Sequence, residues 1–234
     1  MDTGKQKILI VFYSLGGSLA KVAKEIAKGA KEVEGTEVEI KRVKELVADE
    51  VFEKNPRMKR DKEMLEKEFE EAAVEDLIEA DGVAIGTPVH FGSFASQIKQ
   101  YLDQLSPVWL EGKLVNKPVS VFCASGSLHG GEEVALFSLL SPLINFGMIP
   151  VGIPYPIQGE GPEFDAGSPF GVVYVTGHGK NRKEFSESDK KVARILGNRL
   201  ATMTKIIKCG CDSCKVCRSM AQLPSSASAK RGAH

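Results

Sequence analysis

Lys7-Ile8-Leu9-Ile10-Val11-Phe12-Tyr13, followed at once by Ser14-Leu15-Gly16-Gly17-Ser18-Leu19, decides how this 234-residue chain folds. The first seven residues form a continuous apolar run, as expected for a strand buried on both faces. The next five are turn residues. Leu19, Val22, Ala23, Ile26, Ala27 and Ala30 then recur at helical spacing. A two-sided buried strand, a tight turn and an amphipathic helix make the opening unit of a parallel sheet.

Working outward, the same alternation repeats. Residues 36–43 alternate through Val38, Ile40 and Val43 as a second strand, and 81–87 and 118–122 read as the third and fourth. A helix is expected over 133–146, with a fifth strand near 149–153. Residues 45–75 are rich in charge and read as a solvated insertion whose helical part carries Met64, Leu65 and Phe69. A glycine-rich excursion covers 159–179. The last helix opens at Ser186, with Asp189 three residues on in a capping-box arrangement, and continues through Val192, Leu196, Leu200, Met203 and Ile207. The expected architecture is an α/β fold: a doubly wound, five-stranded parallel sheet with helices on both faces. It occupies residues 1–207, followed by a cysteine-rich piece at 208–218 and a disordered tail at 219–234.

Composition narrows the functions. Lys and Arg number 31, as do Asp and Glu, so the net charge is zero. A dedicated nucleic-acid binder is usually basic, and a simple acidic electron shuttle is disfavoured too. No signal peptide is apparent. Residues 134–157 lack charge over a length that could span a bilayer, but Pro142, Pro150, Pro154 and Pro156 would break a membrane helix. The expectation there is a buried helix followed by a central strand. No membrane span is expected, and the five cysteines do not make a secreted disulfide framework, so a reducing, cytoplasmic setting is.

In such sheets ligands bind beyond the carboxyl ends of the strands. Three loops there are unusual. Ser14 to Leu19 combines small residues and two hydroxyls with a helix N-terminus, which suits a phosphate, though it lacks both the dinucleotide glycine spacing and a P-loop lysine. Thr87-Pro88-Val89-His90-Phe91-Gly92-Ser93 places two polar groups and an aromatic after the third strand. Ala124-Ser125-Gly126-Ser127-Leu128-His129-Gly130-Gly131 is polar and glycine-rich after the fourth. Together they suit a ligand with a phosphate at one end and a flat polar ring at the other, a flavin or nucleotide.

At this point the chain resembles a known family. The strand from Lys7 with Ser14 and Gly17 looks like the start of flavodoxin-like proteins. Gly86-Thr87-Pro88-Val89-His90-Phe91-Gly92, Leu102-Asp103-Gln104 with Trp109, residues 125–133, Phe146-Gly147-Met148 and Gly167-Ser168-Pro169-Phe170-Gly171 are similar to the WrbA-type NAD(P)H:quinone oxidoreductases. The resemblance spans about 7–207. It implies noncovalent FMN, NAD(P)H and quinones as small-molecule partners, and a homo-oligomer, dimer or tetramer. It also implies a role for each motif. Ser14, Leu15, Gly16, Gly17, Ser18 and Leu19 would hold the FMN phosphate. Thr87, Pro88, Val89, His90 and Phe91 would border the ring. Ala124, Ser125, Gly126, Ser127, Leu128 and Gly130 would hold the ring's polar edge and the ribityl chain, and Trp109 would wall the site where nicotinamide and quinone stack in turn. Gly16 and Ser18 stand where the family usually has an aromatic and a His. Asn145 replaces a frequent His and can still donate a hydrogen bond. His90 takes the place of an Arg. His90 and His129 are the candidates for proton supply.

Cys209, Cys211, Cys214 and Cys217 lie beyond that resemblance, and three of them have ferredoxin-like spacing. They are candidate ligands for an iron–sulfur cluster or zinc, or else a redox-active tail. Cys123 is read as a buried small hydrophobe, and His178 has no evident partner. The functional expectation is an FMN-dependent enzyme moving a hydride from NAD(P)H to quinones. The rivals are an electron carrier of the flavodoxin or iron–sulfur flavoprotein type and a non-redox interaction module of the same fold.

Overall fold

The computed structural model describes residues 5–155 and 166–213. Strand β1 (Gln6–Phe12) leads into α1 (Ser18–Lys31), and β2 (Thr36–Arg42) follows. The charge-rich insertion forms α2 (Asp49–Glu53), α3 (Pro56–Glu68) and α4 (Val74–Glu79). Next come β3 (Gly82–Pro88), α5 (Ser96–Asp103), α6 (Ser106–Leu110), β4 (Pro118–Ser125) and α7 (Glu132–Asn145). Strands β5 (Ile149–Pro150) and β6 (Gly171–Val175) precede the long α8 (Glu187–Ser213). Pairing is parallel throughout, in the order β2-β1-β3-β4-β5, with β6 also on β4. This is the doubly wound parallel sheet expected from the alternation of strands and helices.

The two-sided burial of β1 sets the layers. Ile8, Ile10 and Phe12 face one core with α1 and α8, whereas Leu9, Val11 and Tyr13 face the other with α5 and α7. The insertion is less solvated than its charge suggests. Phe52, Leu65 and Phe69 are buried, and the Phe69 ring meets Phe12 edge-on at 5.1 Å.

Three expectations need correction. The fifth sheet position is an edge, not a central strand, and it is divided: β5 pairs with Pro118 and Val119, while β6 pairs with residues 121–125. The excursion at 159–179 therefore contains a strand, which the apolar Gly171–Val175 run forms once it can complete the edge of β4. Helix α7 is buried on one face only: Ala135, Leu136, Leu139, Leu140 and Leu143 lie in the core, whereas Val134, Phe137 and Ile144 are each more than half exposed. Pro142 sits inside it without ending it. Finally, α8 does not stop at Ile207, since helical backbone continues through Cys209 and Cys211 to Ser213. Its start is as expected, with Ser186 and Asp189 bonded reciprocally. The expected disordered tail at 219–234 lies outside the described residues. No described helix is long and apolar enough to cross a membrane.

Candidate cofactor site

The parallel sheet brings the loops after β1, β3 and β4 to one edge. In the first, Gly17 caps α1 in the left-handed conformation (φ 73°) and has no side chain to cap it with. The Leu19 amide lies 3.4 Å from Ser14 Oγ. The first turn of α1 contains no acidic residue. A glycine-capped helix start with no acid in its first turn presents amides and the positive dipole end to an anion, so this loop fits the FMN phosphate. Helix α3 roofs it: Met64 and Asp61 approach the Gly17 and Gly16 backbone.

The second loop is pinned from below. Thr87 is fully buried, and its hydroxyl donates to Pro88 O and accepts from the Ala95 amide. It therefore shapes the loop rather than facing a ligand. The Val89 amide donates to Ala124 O, tying the second loop to the third. His90 and Ser93 exchange backbone hydrogen bonds of 2.9 and 3.0 Å around Phe91 (φ 53°) and Gly92 (φ 75°). Two left-handed central residues make a mirror-image hairpin turn. Its cost falls on Phe91, which is driven fully into solvent.

The third loop closes against the second. A Cβ on Gly131, itself left-handed, would stand 2.8 Å from Gly92 Cα. Ser125 is buried, with Oγ 2.8 Å from both Ser127 O and Glu132 Oε1. The tip consists of exposed Ser127, Leu128, His129 and Gly130, with His129 at φ 57°. Two of the three described non-glycine residues with positive φ thus stand on the rims of these loops, where strain is commonly functional.

The structure adds groups that sequence reasoning missed. A side chain at Gly126 would collide with the His178 ring, so His178 packs on the third loop. Thr176, just beyond β6, donates its amide and hydroxyl to Ser125 O. Under the first loop, Tyr13 donates to Glu45, which also accepts from Gln97 and from the Leu46 and Val47 amides. Burial, with the Glu45 carboxylate beside it, holds the Tyr13 phenol well above its usual range. Cys123 is buried in β4, and burial, reinforced by Glu132 and Glu133, pushes its thiol up as well. That matches a small hydrophobe rather than a nucleophile.

Two expected site residues lie elsewhere. Trp109 is half exposed and donates from Nε1 to Asn145 O at 3.2 Å. Both sit where α6 and α7 end, beside the beginnings of β4 and β5. The cofactor loops lie at the other ends of those strands, roughly 25 Å away along an eight-residue strand. Within one chain neither residue reaches the loops. Of the candidate metal ligands, Cys209 is exposed, and Cys214 and Cys217 lie outside the described residues. Among the described residues no group of three or more His, Cys, Asp or Glu side chains could hold a metal.

Comparisons with known proteins identify the family and the fold. Residues 7–162 match the model of the NADPH-dependent FMN reductase family. A protein from Archaeoglobus fulgidus named NAD(P)H dehydrogenase (quinone) is 39% identical over 199 residues, covering 85% of this chain and 97% of that one. One of the same name from Solidesulfovibrio magneticus is 35% identical over 203 residues, covering 86% and 98%. The crystal structure of a flavodoxin, WrbA-like protein from Agrobacterium tumefaciens superposes with a TM-score of 0.59 at 20% identity, covering 86% and 99%.

Proposed function

The chain belongs to the NADPH-dependent FMN reductase family, and from that premise we propose that it is an FMN-dependent NAD(P)H:quinone oxidoreductase. The observation that carries this is the convergence of three loops on one sheet edge around a helix N-terminus whose first turn has no acidic residue. FMN, when bound, accepts a hydride and passes on two electrons. The chain's residues orient and shield. The backbone at 14–19 holds the phosphate. Val89, His90 and Phe91 flank the ring, with Phe91 offering a flat apolar face to nicotinamide and then quinone. Residues 124–130 contact the ring's polar edge and the ribityl chain. Reduction of a quinone to a quinol needs a proton beside each hydride, and exposed His90 and His129 stand where they can supply it.

Trp109 enters this reading from a second copy. The exposed stripe of Val134, Phe137 and Ile144 runs along α7 from the third loop to the Trp109–Asn145 end. Antiparallel two-fold pairing of that stripe sets the partner's Trp109 beside Phe91 and Leu128, which are also exposed. A dimer is the minimal unit, and a tetramer pairs such dimers. We place the enzyme in the cytoplasm, and retain a metal centre at the clustered cysteines as a proposal tested by iron, sulfide and zinc analysis.

In the decisive test NADH or NADPH bleaches the flavin absorbance of the reconstituted protein anaerobically, and benzoquinone restores it. Inertness toward both nicotinamides would end this reading.

A further inference from the structure

The apolar positions of α1 face the sheet, so Lys21, Lys24, Lys28 and Lys31 share its outer face. The segment after β6 adds Arg182 and Lys183, and the first turn of α8 adds Lys190, around a cleft of about 880 Å³. Only two carboxylates line it, Glu25 and Glu184. Glu25 is engaged by Lys28 and Arg194, Lys24 pairs with Glu68, and Lys190 with Glu187. Among the described residues no carboxylate lies within ion-pair distance of Lys21, Lys31, Arg182 or Lys183. Since the whole chain is neutral, this is a matter of placement, not surplus.

The composition of the cleft separates possible partners. Protein interfaces are anchored by Trp, Tyr and Arg and are poor in Lys. Here six of seven cations are Lys, and the large apolar linings Ile40 and Phe185 are packed against the core. The chain's exposed Trp109, Phe137 and Ile144 lie elsewhere. A lysine field without an aromatic anchor suits hydrated, diffuse attraction to anionic headgroups. Lys21 and Lys183 set the near end of the field at the sheet edge that carries the cofactor loops.

We propose that this lysine-rich cleft is a docking surface for anionic lipid headgroups. Quinones with long hydrocarbon tails dissolve in bilayers, and no described helix can cross one, so a peripheral contact would bring the site to such an acceptor. That purpose rests on the quinone reading; the docking itself does not.

The test is co-sedimentation of the FMN-loaded protein with vesicles of phosphatidylcholine alone or mixed equally with phosphatidylglycerol. Binding is expected only to the mixed vesicles and is reversed by high salt. The triple variant K31E/R182E/K183E should bind about 100-fold more weakly, and the milder K31Q/R182Q/K183Q variant should fall between, which guards against a folding defect. Both variants should reduce benzoquinone as the parent does. Equal partition into the two vesicle types, unchanged binding by both variants, or retention by acidic proteins but not vesicles overturns the proposal. Vesicle binding without any flavin reduction by nicotinamides would overturn the quinone reading and leave the docking surface standing.

Discussion

Phe91 concentrates the tension between stability and use. A non-glycine residue with left-handed backbone costs on the order of 1 kcal/mol, and Phe91 recovers nothing by burial because its ring is wholly exposed. Phe91→Gly should therefore leave the unfolding midpoint unchanged or raise it by a few degrees, while kcat/KM for benzoquinone falls about tenfold, as expected if the ring stacks on substrate. A loss of stability instead would mean that the ring packs inside the protein. Gly131 predicts the opposite pattern. Ala there meets Gly92 Cα and requires a left-handed backbone, so FMN titration should show affinity falling at least tenfold, with about 1–2 kcal/mol lost on denaturation. Cys123 should resist alkylation in the native protein and react only on unfolding. Much of this was legible in the loops. The runs after β1, β3 and β4 are visibly rich in glycine, serine and other turn residues. The His178 contact was not, because Gly126 lies 52 residues earlier and no local pattern joins them.

Helices α1 and α8 cross where each has a glycine against the other's backbone. A Cβ on Gly29 would collide with Arg194 O, and one on Gly197 with Ile26 O. By helix propensity alone Gly197→Ala would stabilise by about 1 kcal/mol. The crossing reverses the sign, and urea denaturation should show a loss of about 3 kcal/mol. The same pair is clasped by Glu25, which bonds Lys28 and Arg194 at 2.6 Å each. Burial raises its carboxyl pKa, but the hydrogen bonds and charges of Lys28 and Arg194 outweigh that and hold it below the ordinary range. A depressed acid stabilises above its unfolded pKa, so this contribution is complete near neutrality and disappears as pH falls below about 4.5. Glu25→Gln should flatten the acid limb of the stability profile. Apolar periodicity made α1 and α8 legible as separate helices, but not the glycine crossing, since a glycine inside a helix reads locally as a weak point. Strand β6 was obscured by the same locality: residues 149–153 had already filled the fifth position.

At the scale of the molecule the surface divides into a cofactor edge, a lysine-lined flank and the apolar stripe of α7. If α7 pairs as proposed, sedimentation of Phe137→Ser/Ile144→Lys should give a smaller species than the parent, with FMN retained and quinone turnover reduced by loss of a second copy's Trp109. Retained turnover in a monomer would remove Trp109 from the reaction. Sequence showed the apolar composition of α7 but not its exposure, which depends on what a neighbouring surface covers. Helix α8 also acts as a ruler. It starts at the cofactor edge, and at about 1.5 Å per residue Cys209 lies roughly 33 Å along it. That is the span of a small domain, too long for the Cys209 thiol and the same chain's flavin to touch. Any electron shared between them must cross a subunit boundary or travel on a carrier that diffuses.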